Sequence, residues 1–134
     1  MKSSGGSYPC PCCGFLVFQE PPGSYDICPF CFWEDDALQL EFATTLGGGA
    51  NHPTLEQAQL NFQTLGACEQ RCRSFVRPPP PSHPRDPAWR PIDRARDGFG
   101  DFNASEKERV PQVDESLYYW RETFWRRSRS RDRD

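Results

Sequence analysis

The amino-acid sequence predicts a small α+β fold built around two pairs of cysteines near the N-terminus. Two residues separate Cys10 from Cys13, and two residues separate Cys28 from Cys31. At this spacing a tight turn presents two thiolates to one tetrahedral metal ion. Short apolar runs flank the turns and a helical pattern follows them, so both strands and helices are expected. We therefore predict one structural zinc ion per chain, bound by these four cysteines.

Two strands are expected between the cysteine pairs. Residues 15–18 and 25–27 are aromatic and β-branched runs, and a Pro-Pro-Gly break lies between them. This pattern predicts a β-hairpin with one cysteine turn at each open end. Polar residues then alternate with Leu38, Leu40 and Phe42, which predicts a third strand. The three strands and the metal together predict a rubredoxin-like zinc ribbon.

Two short helices are predicted after the ribbon. A capping box, Thr54 with Gln57, opens a stretch of apolar residues at helical spacing that ends at Gly66. The following segment, which ends before four prolines, predicts a second short helix with Cys68 and Cys72 on one face. We expect these two cysteines to be buried structural thiols, because such thiols are commoner than isolated ligand pairs.

The rest of the chain divides by composition. Residues 1–77 hold the ribbon and its helices, and residues 78–113 form a proline-rich and charged connection that is expected to be stiff and extended. Over residues 114–127, aromatic residues at helical spacing predict a C-terminal helix that packs back on the ribbon. Residues 128–134 are too rich in charge to fold and are expected to be disordered.

Composition argues against a membrane protein and against a disulfide framework. The formal net charge is −3, and no apolar run approaches the roughly 20 residues that cross a bilayer. The N-terminus has no apolar segment typical of a signal peptide, so a cytoplasmic location is expected. The cysteines number seven, and in a reducing compartment paired cysteines are more often metal ligands than disulfides.

The two cysteine turns differ in the residue that follows them. Gly14 follows the first turn and can adopt the left-handed backbone conformation that points amides at the sulfurs, whereas Phe32 follows the second. The second turn is therefore expected to be less regular. Cys12 lacks the ligand spacing and is expected outside the first turn, as a surface thiol or, alternatively, as a redox-sensitive one.

Three carboxylates follow the second cysteine turn directly. Glu34, Asp35 and Asp36 would point in alternating directions on an extended chain, so at most two of them would share one ion. We expect a structural or partner-binding role for these residues, on an exposed acidic patch. A second metal site or a catalytic group is the alternative.

Four stretches of the sequence resemble one known family. They are YPCPCCGFL, EPPGSYDICPFCFWEDD, GGANHPTLEQAQLNF and GACEQRCRSFVRPP, which agree in order and spacing over about residues 8–80. The chain is thereby identified as similar to the cysteine-rich CPCC proteins, a family of small bacterial proteins. The resemblance implies a zinc-ribbon-like domain and carries no established activity.

The expected function follows from the closed metal site. Four thiolates fill every position around zinc, so no position stays open for water or substrate and a non-catalytic protein is expected. The acidic patch then predicts an adaptor that binds a protein with a basic surface. One alternative is nucleic-acid binding through the Arg-rich tail, and a second is an enzyme that uses the acidic trio or Cys12.

Overall fold

The computed structural model describes residues 6–99 and 114–124, and they form a small α+β fold. The elements in chain order are β1 Tyr8–Pro9, β2 Leu16–Phe18, α1 Ala37–Glu41, α2 Leu55–Leu65, a first 3₁₀ helix Gln70–Phe75 and a second 3₁₀ helix Glu115–Leu117. Within these residues, no helix is long and apolar enough to reach across a lipid bilayer.

The sheet is a two-stranded antiparallel hairpin, but its strands are not the predicted ones. β1 pairs with β2, so that Tyr8 lies opposite Phe18, and the first cysteine turn lies between the two strands. Ile27 instead forms an isolated antiparallel bridge with Glu34, across the second cysteine turn. The predicted pairing of residues 15–18 with 25–27 is therefore wrong. Each cysteine turn closes its own hairpin, because the Cys10 N–H donates to the Phe15 carbonyl and the Cys28 N–H donates to the Trp33 carbonyl, each at 2.9 Å.

The predicted third strand is a short helix, α1. The Asp36 carboxylate accepts hydrogen bonds from the backbone N–H groups of Leu38 at 2.9 Å and Gln39 at 3.2 Å, which caps the first turn. Such a cap favours helix over strand locally. The alternation of apolar and polar residues was misleading, because the polar Gln39 and Glu41 are buried as well.

Helix α2 confirms its sequence prediction. Thr54 accepts a hydrogen bond from the Gln57 amide at 3.1 Å, and Gly66 ends the helix with a left-handed φ of 79°. Leu55 and Ala58 are fully buried and face the core. The segment that follows is a 3₁₀ helix, Gln70–Phe75, rather than a second α-helix.

The C-terminal aromatic segment packs on the core without forming the predicted helix. Residues 114–124 contain one 3₁₀ turn, Glu115–Leu117, followed by further turns, while residues 125–134 lie outside the described part. The aromatic side chains are nevertheless buried in the same cluster as the cysteines. They are Tyr118, Tyr119, Trp120 and Phe124.

The proline-rich segment lies against the first cysteine turn. We name residues 83–92 the strap. Its backbone forms an isolated bridge between Arg85 and Phe15, and the Asp86 N–H donates to the Gly14 carbonyl at 2.9 Å. The segment contains two turns, in which the His83 N–H donates to the Pro80 carbonyl and the Trp89 N–H donates to the Asp86 carbonyl, each at 3.0 Å, so it is not extended throughout. Whether residues 1–77 fold as a separate unit stays a prediction.

Candidate metal centre

The four predicted cysteines meet at one point. The Sγ atoms of Cys10, Cys13, Cys28 and Cys31 all lie within 4.8 Å of one another, and all four side chains are fully buried. The Cys10 and Cys31 sulfurs are 3.6 Å apart, and those of Cys13 and Cys28 are 3.7 Å apart. A Zn–S bond of about 2.3 Å gives a tetrahedron edge of about 3.8 Å. The thiols are thus positioned to hold one tetrahedral metal ion.

The first turn depends on a glycine. Gly14 has a left-handed φ of 83°, and its N–H donates to the Cys10 carbonyl at 2.6 Å. A Cβ at this position would lie 2.6 Å from the ring of Trp89. The backbone angle and the packed indole therefore both exclude a side chain here.

The second turn has the same form as the first, so the expected irregularity is wrong. Phe32 adopts a left-handed φ of 74°, and its N–H donates to the Cys28 carbonyl at 2.9 Å. A non-glycine residue in this conformation costs on the order of 1 kcal/mol. The Phe30 N–H points at the Cys28 sulfur at 3.4 Å, the arrangement that stabilises a thiolate ligand.

Burial and hydrogen bonds set the protonation of the thiols. Burial raises the pKa values of Cys10, Cys13 and Cys31. Burial also acts to raise the pKa of Cys28, but hydrogen bonds from the other three thiols and the Phe30 amide outweigh it and hold that pKa well below its ordinary value. A bound cation would favour the thiolate at all four positions, so metal binding releases protons.

Three further cysteines lie beside the site. Cys12 is fully buried, so its expected position at the surface is wrong. Cys68 and Cys72 are buried as predicted, and the Cys68 N–H donates to the carbonyl of Cys31 at 2.7 Å. Burial raises the pKa of Cys68 strongly, which disfavours its reactive thiolate form. The packing of these thiols resembles that of small apolar side chains.

Side chains from distant segments hold the first cysteine turn. The Pro11 carbonyl accepts hydrogen bonds from Gln59 Nε2 and from Trp89 Nε1, each at 2.9 Å. Arg85 Nε donates to the Cys13 carbonyl at 2.9 Å. Sequence reasoning missed these three residues. Only the lone tryptophan in a proline-rich segment hinted at a packed role.

Gln59 connects α2 to both later segments. Its Oε1 accepts a hydrogen bond from the Ile92 N–H at 2.8 Å, and its Nε2 donates to the Tyr119 hydroxyl at 2.9 Å as well as to Pro11. The Tyr119 hydroxyl in turn donates to the Arg90 carbonyl. One buried amide thus connects the first cysteine turn, the strap and the C-terminal segment.

The acidic trio is largely internal, so the expected exposed patch of three carboxylates is wrong. Asp35 is 2% exposed and accepts hydrogen bonds from Ser24 Oγ at 2.8 Å and Ser24 N at 3.3 Å. Burial raises the pKa of Asp35 to about 6. Asp36 caps α1 and also accepts from the Ala50 N–H at 3.0 Å. Only Glu34 is half-exposed.

A pair of buried amides holds the glycine-rich loop after α1. Gln39 Nε2 donates to the carbonyls of Leu46, Asn51 and Pro53, and its Oε1 accepts from the Asn51 N–H at 2.9 Å. The Asn51 side chain exchanges two hydrogen bonds of 2.8 Å with the Glu34 backbone. The loop is thereby fixed next to the acidic trio.

Fold and site together define the class: a small cysteine-rich domain whose four buried thiols are positioned to hold a metal ion. The family described as Cysteine-rich CPCC matches residues 8–83, which is more than half of the chain. The chain belongs to the cysteine-rich CPCC family, as its motifs indicated. No curated protein matches it.

Proposed function

We propose that the four cysteines bind one zinc ion with a structural role. The observation that carries this proposal is the pair of Sγ–Sγ distances, 3.6 and 3.7 Å, which are close to the edge of a zinc–thiolate tetrahedron. Iron also accepts four thiolates, so the metal must be identified directly. Elemental analysis of the purified protein tests this, and the expected result is one zinc per chain.

The proposed zinc ion has no position for a substrate. Four thiolates complete a tetrahedral coordination shell, and both hairpins end at the site, so the ion acts as a crosslink. Structural zinc sites contribute about 10 to 16 kcal/mol of apparent binding free energy, which appears as folding free energy in small domains. This amount exceeds what the core of a small domain usually supplies.

We further propose that the protein is a non-catalytic adaptor that binds another protein in the cytoplasm. Two groups that an enzyme would use have structural partners instead: Asp35 bonds to Ser24, and Asp36 caps α1. Cys12 is buried among core residues. Seven thiols without disulfides fit a reducing compartment.

Affinity capture tests the adaptor role. The tagged full chain is used as bait in cells of its source, and the Cys28→Ser variant serves as the control that lacks the metal site. The expected result is a protein that the wild type retains after high-salt washing and the variant loses. Equal recovery with both baits would contradict an adaptor role that depends on the folded domain.

Nucleic-acid binding is the second candidate. Residues 3–70, which hold both cysteine turns, contain no lysine or arginine, so these residues supply no basic side chain for phosphate contacts. Any such role would depend on the Arg-rich residues 126–134, which lie outside the described part of the chain. A gel-shift titration with RNA and DNA across salt tests this, and we expect no shift at physiological salt.

A further inference from the structure

One surface next to the second cysteine turn combines exposed apolar side chains with carboxylates. Tyr25 is 56% exposed and Ile27 is 47% exposed, and Asp26 between them is exposed as well. Glu34 lies opposite Ile27 in an antiparallel bridge, so their side chains are neighbours. We name these four residues, Tyr25, Asp26, Ile27 and Glu34, the Tyr25 face.

The backbone at Tyr25 is strained without a packing reason. Its φ of 63° is left-handed, a conformation that costs a side chain on the order of 1 kcal/mol. The strain is held by a hydrogen bond from the Tyr25 N–H to the Asp35 carbonyl at 3.0 Å. Because the ring is mostly exposed, burial does not offset the strain. Strained, exposed positions of this kind are typical of binding sites.

The charge of this face is negative and unbalanced. Later arginines pair with other carboxylates of residues 3–70: Arg94 pairs with Glu56, and Arg71 pairs with Glu69. Asp26 and Glu34 form no ion pair within residues 6–99 and 114–124. Asp36, partial burial and Glu34 together raise the pKa of Tyr25, as expected for a negative potential at its hydroxyl.

We propose that the Tyr25 face binds an arginine- or lysine-bearing segment of a partner protein. This proposal rests on the adaptor role above and names its contact surface. A cation fits over the exposed Tyr25 ring, and its methylene stem fits along Ile27. Asp26 and Glu34 supply the opposite charge. Residues 25–27 directly precede Cys28 and the bridge from Ile27 to Glu34 spans the second cysteine turn, so the face is held rigid before binding and loses little entropy.

Binding of a defined basic peptide tests the proposal. The probe is fluorescein-labelled nona-arginine, titrated against the metal-loaded full chain at low and at moderate salt, with anisotropy as the readout. Tyr25→Ala and Glu34→Gln are each expected to weaken binding by about threefold, and the double variant by about tenfold. The matched controls are Leu60→Ala and Glu20→Gln, which remove an exposed apolar residue and an exposed charge elsewhere, and both should bind as the wild type does.

Tyr25→Gly separates binding from folding. Glycine adopts a left-handed φ freely, so this variant should melt at the same temperature as the wild type or higher, yet bind the peptide less tightly. If Tyr25→Gly binds the peptide as tightly as the wild type, the ring has no role in binding and the proposal is overturned. A loss that Glu20→Gln shares equally would mean that only net charge acts, which also overturns it.

Other occupants of the face give distinct results. If sedimentation shows a wild-type dimer that Ile27→Ser dissociates, the occupant is a second copy of the chain. If the peptide binds only after the arginines of residues 126–134 are changed to glutamine, the occupant is the chain's own tail. Either result overturns the proposed partner. If the wild type binds zinc and captures a protein but does not bind the peptide, the proposed role of the Tyr25 face is overturned and the adaptor role stands.

Discussion

At the residue scale, position within a turn decides what each cysteine does. Cys10 and Cys13 face the metal position, whereas Cys12 between them is buried in the surrounding core. The alternation follows from the tight turn, which brings only the residues at either end to the same side. Neighbouring cysteines in one turn therefore have different chemistry.

Substitution of single cysteines is expected to distinguish metal ligands from thiols that only pack in the core. Cys10→Ser and Cys28→Ser should each lose the bound zinc, because a neutral hydroxyl replaces a thiolate. Cys12→Ala should keep one zinc per chain and lose only the packing free energy of a buried sulfur, about 1 kcal/mol. Elemental analysis and thermal melting measure both effects. Loss of zinc from Cys12→Ala would contradict the ligand assignment.

The buried Asp35 carboxyl predicts a pH dependence of stability. Its pKa is raised from 3.8 to about 6 on folding. Below about pH 4 the carboxyl is neutral in both the folded and the unfolded state, so its unfavourable contribution appears between about pH 4 and pH 6 and persists above. Asp35→Asn should therefore raise the free energy of unfolding above pH 6, by at most about 3 kcal/mol.

This effect is measured as a difference between Asp35→Asn and wild type, by urea unfolding of the metal-loaded proteins at each pH. Because both proteins carry the same thiols, proton competition for the metal cancels in the difference. A difference that does not change between pH 5 and pH 7 would contradict the burial of a titrating carboxyl at this position.

At the scale of elements, side-chain caps and contacts between distant segments set what forms. Helix α1 spans only Ala37–Glu41, far too short to be stable alone, and it begins at the cap that Asp36 supplies. The strap has no internal ladder of its own and is held by contacts to the first cysteine turn. Both elements can therefore be tested through single side chains.

Removal of the α1 cap should destabilise the domain. Asp36→Ala removes the acceptor of three hydrogen bonds, which the N–H groups of Leu38, Gln39 and Ala50 donate. The free energy of unfolding is therefore expected to fall by about 2 kcal/mol. Asp36→Asn should lose less, because asparagine is an equally good N-cap. Urea unfolding measures both. An Asp36→Ala variant as stable as the wild type would show that the cap contributes nothing.

Removal of the strap contact should loosen the metal site. Trp89→Ala removes the hydrogen bond to the Pro11 carbonyl and the ring that packs on Gly14. A chelator should therefore remove zinc from this variant several times faster than from the wild type. Leu60→Ala is the control, since it removes an exposed side chain from α2 and leaves the strap unchanged. The chelator assay is followed by absorbance, and equal rates for all three proteins would refute a role of the strap at the metal.

At the scale of the whole molecule, one core joins the metal site to segments from both described parts of the chain, residues 6–99 and 114–124. The four thiols belong to the same buried cluster as Trp33, Leu55 and Tyr119, which come from three different parts of the chain. Loss of the metal would leave the two hairpins without a bond between them at the centre of this cluster. The domain is therefore expected to fold and to bind metal as one event.

Chelation should unfold the described domain as a whole. Treatment with a strong chelator is expected to abolish the cooperative thermal transition and to shift the tryptophan emission, to which the buried Trp33 and Trp120 contribute, toward that of solvent-exposed tryptophan. Addition of zinc should restore both signals. Circular dichroism measures the melting temperature of the metal-free protein. If this temperature is nearly the same as that of the metal-loaded protein, the core is stable without the ion.

Errors in the sequence prediction arose where burial overrode a local pattern. Gln39 and Glu41 are polar but buried, so the alternation around them resembled a strand. Asp35 and Asp36 are charged, yet Ser24, Ala50 and the backbone of α1 supply their partners from inside the fold. A polar residue with buried partners cannot be told from an exposed one without knowledge of those partners.

Local sequence patterns alone were enough to predict the four metal-facing cysteines and helix α2. Both depend on local geometry: the spacing of Cys10 and Cys13 fits one turn, and Thr54 and Gly66 cap a helix through bonds to near neighbours. The burial of Cys12 and the contact of Trp89 with the first cysteine turn could be seen only in the folded structure. Both features depend on which distant segments meet in the core. The free energy of the whole packed chain determines which segments meet, and no local pattern reports it.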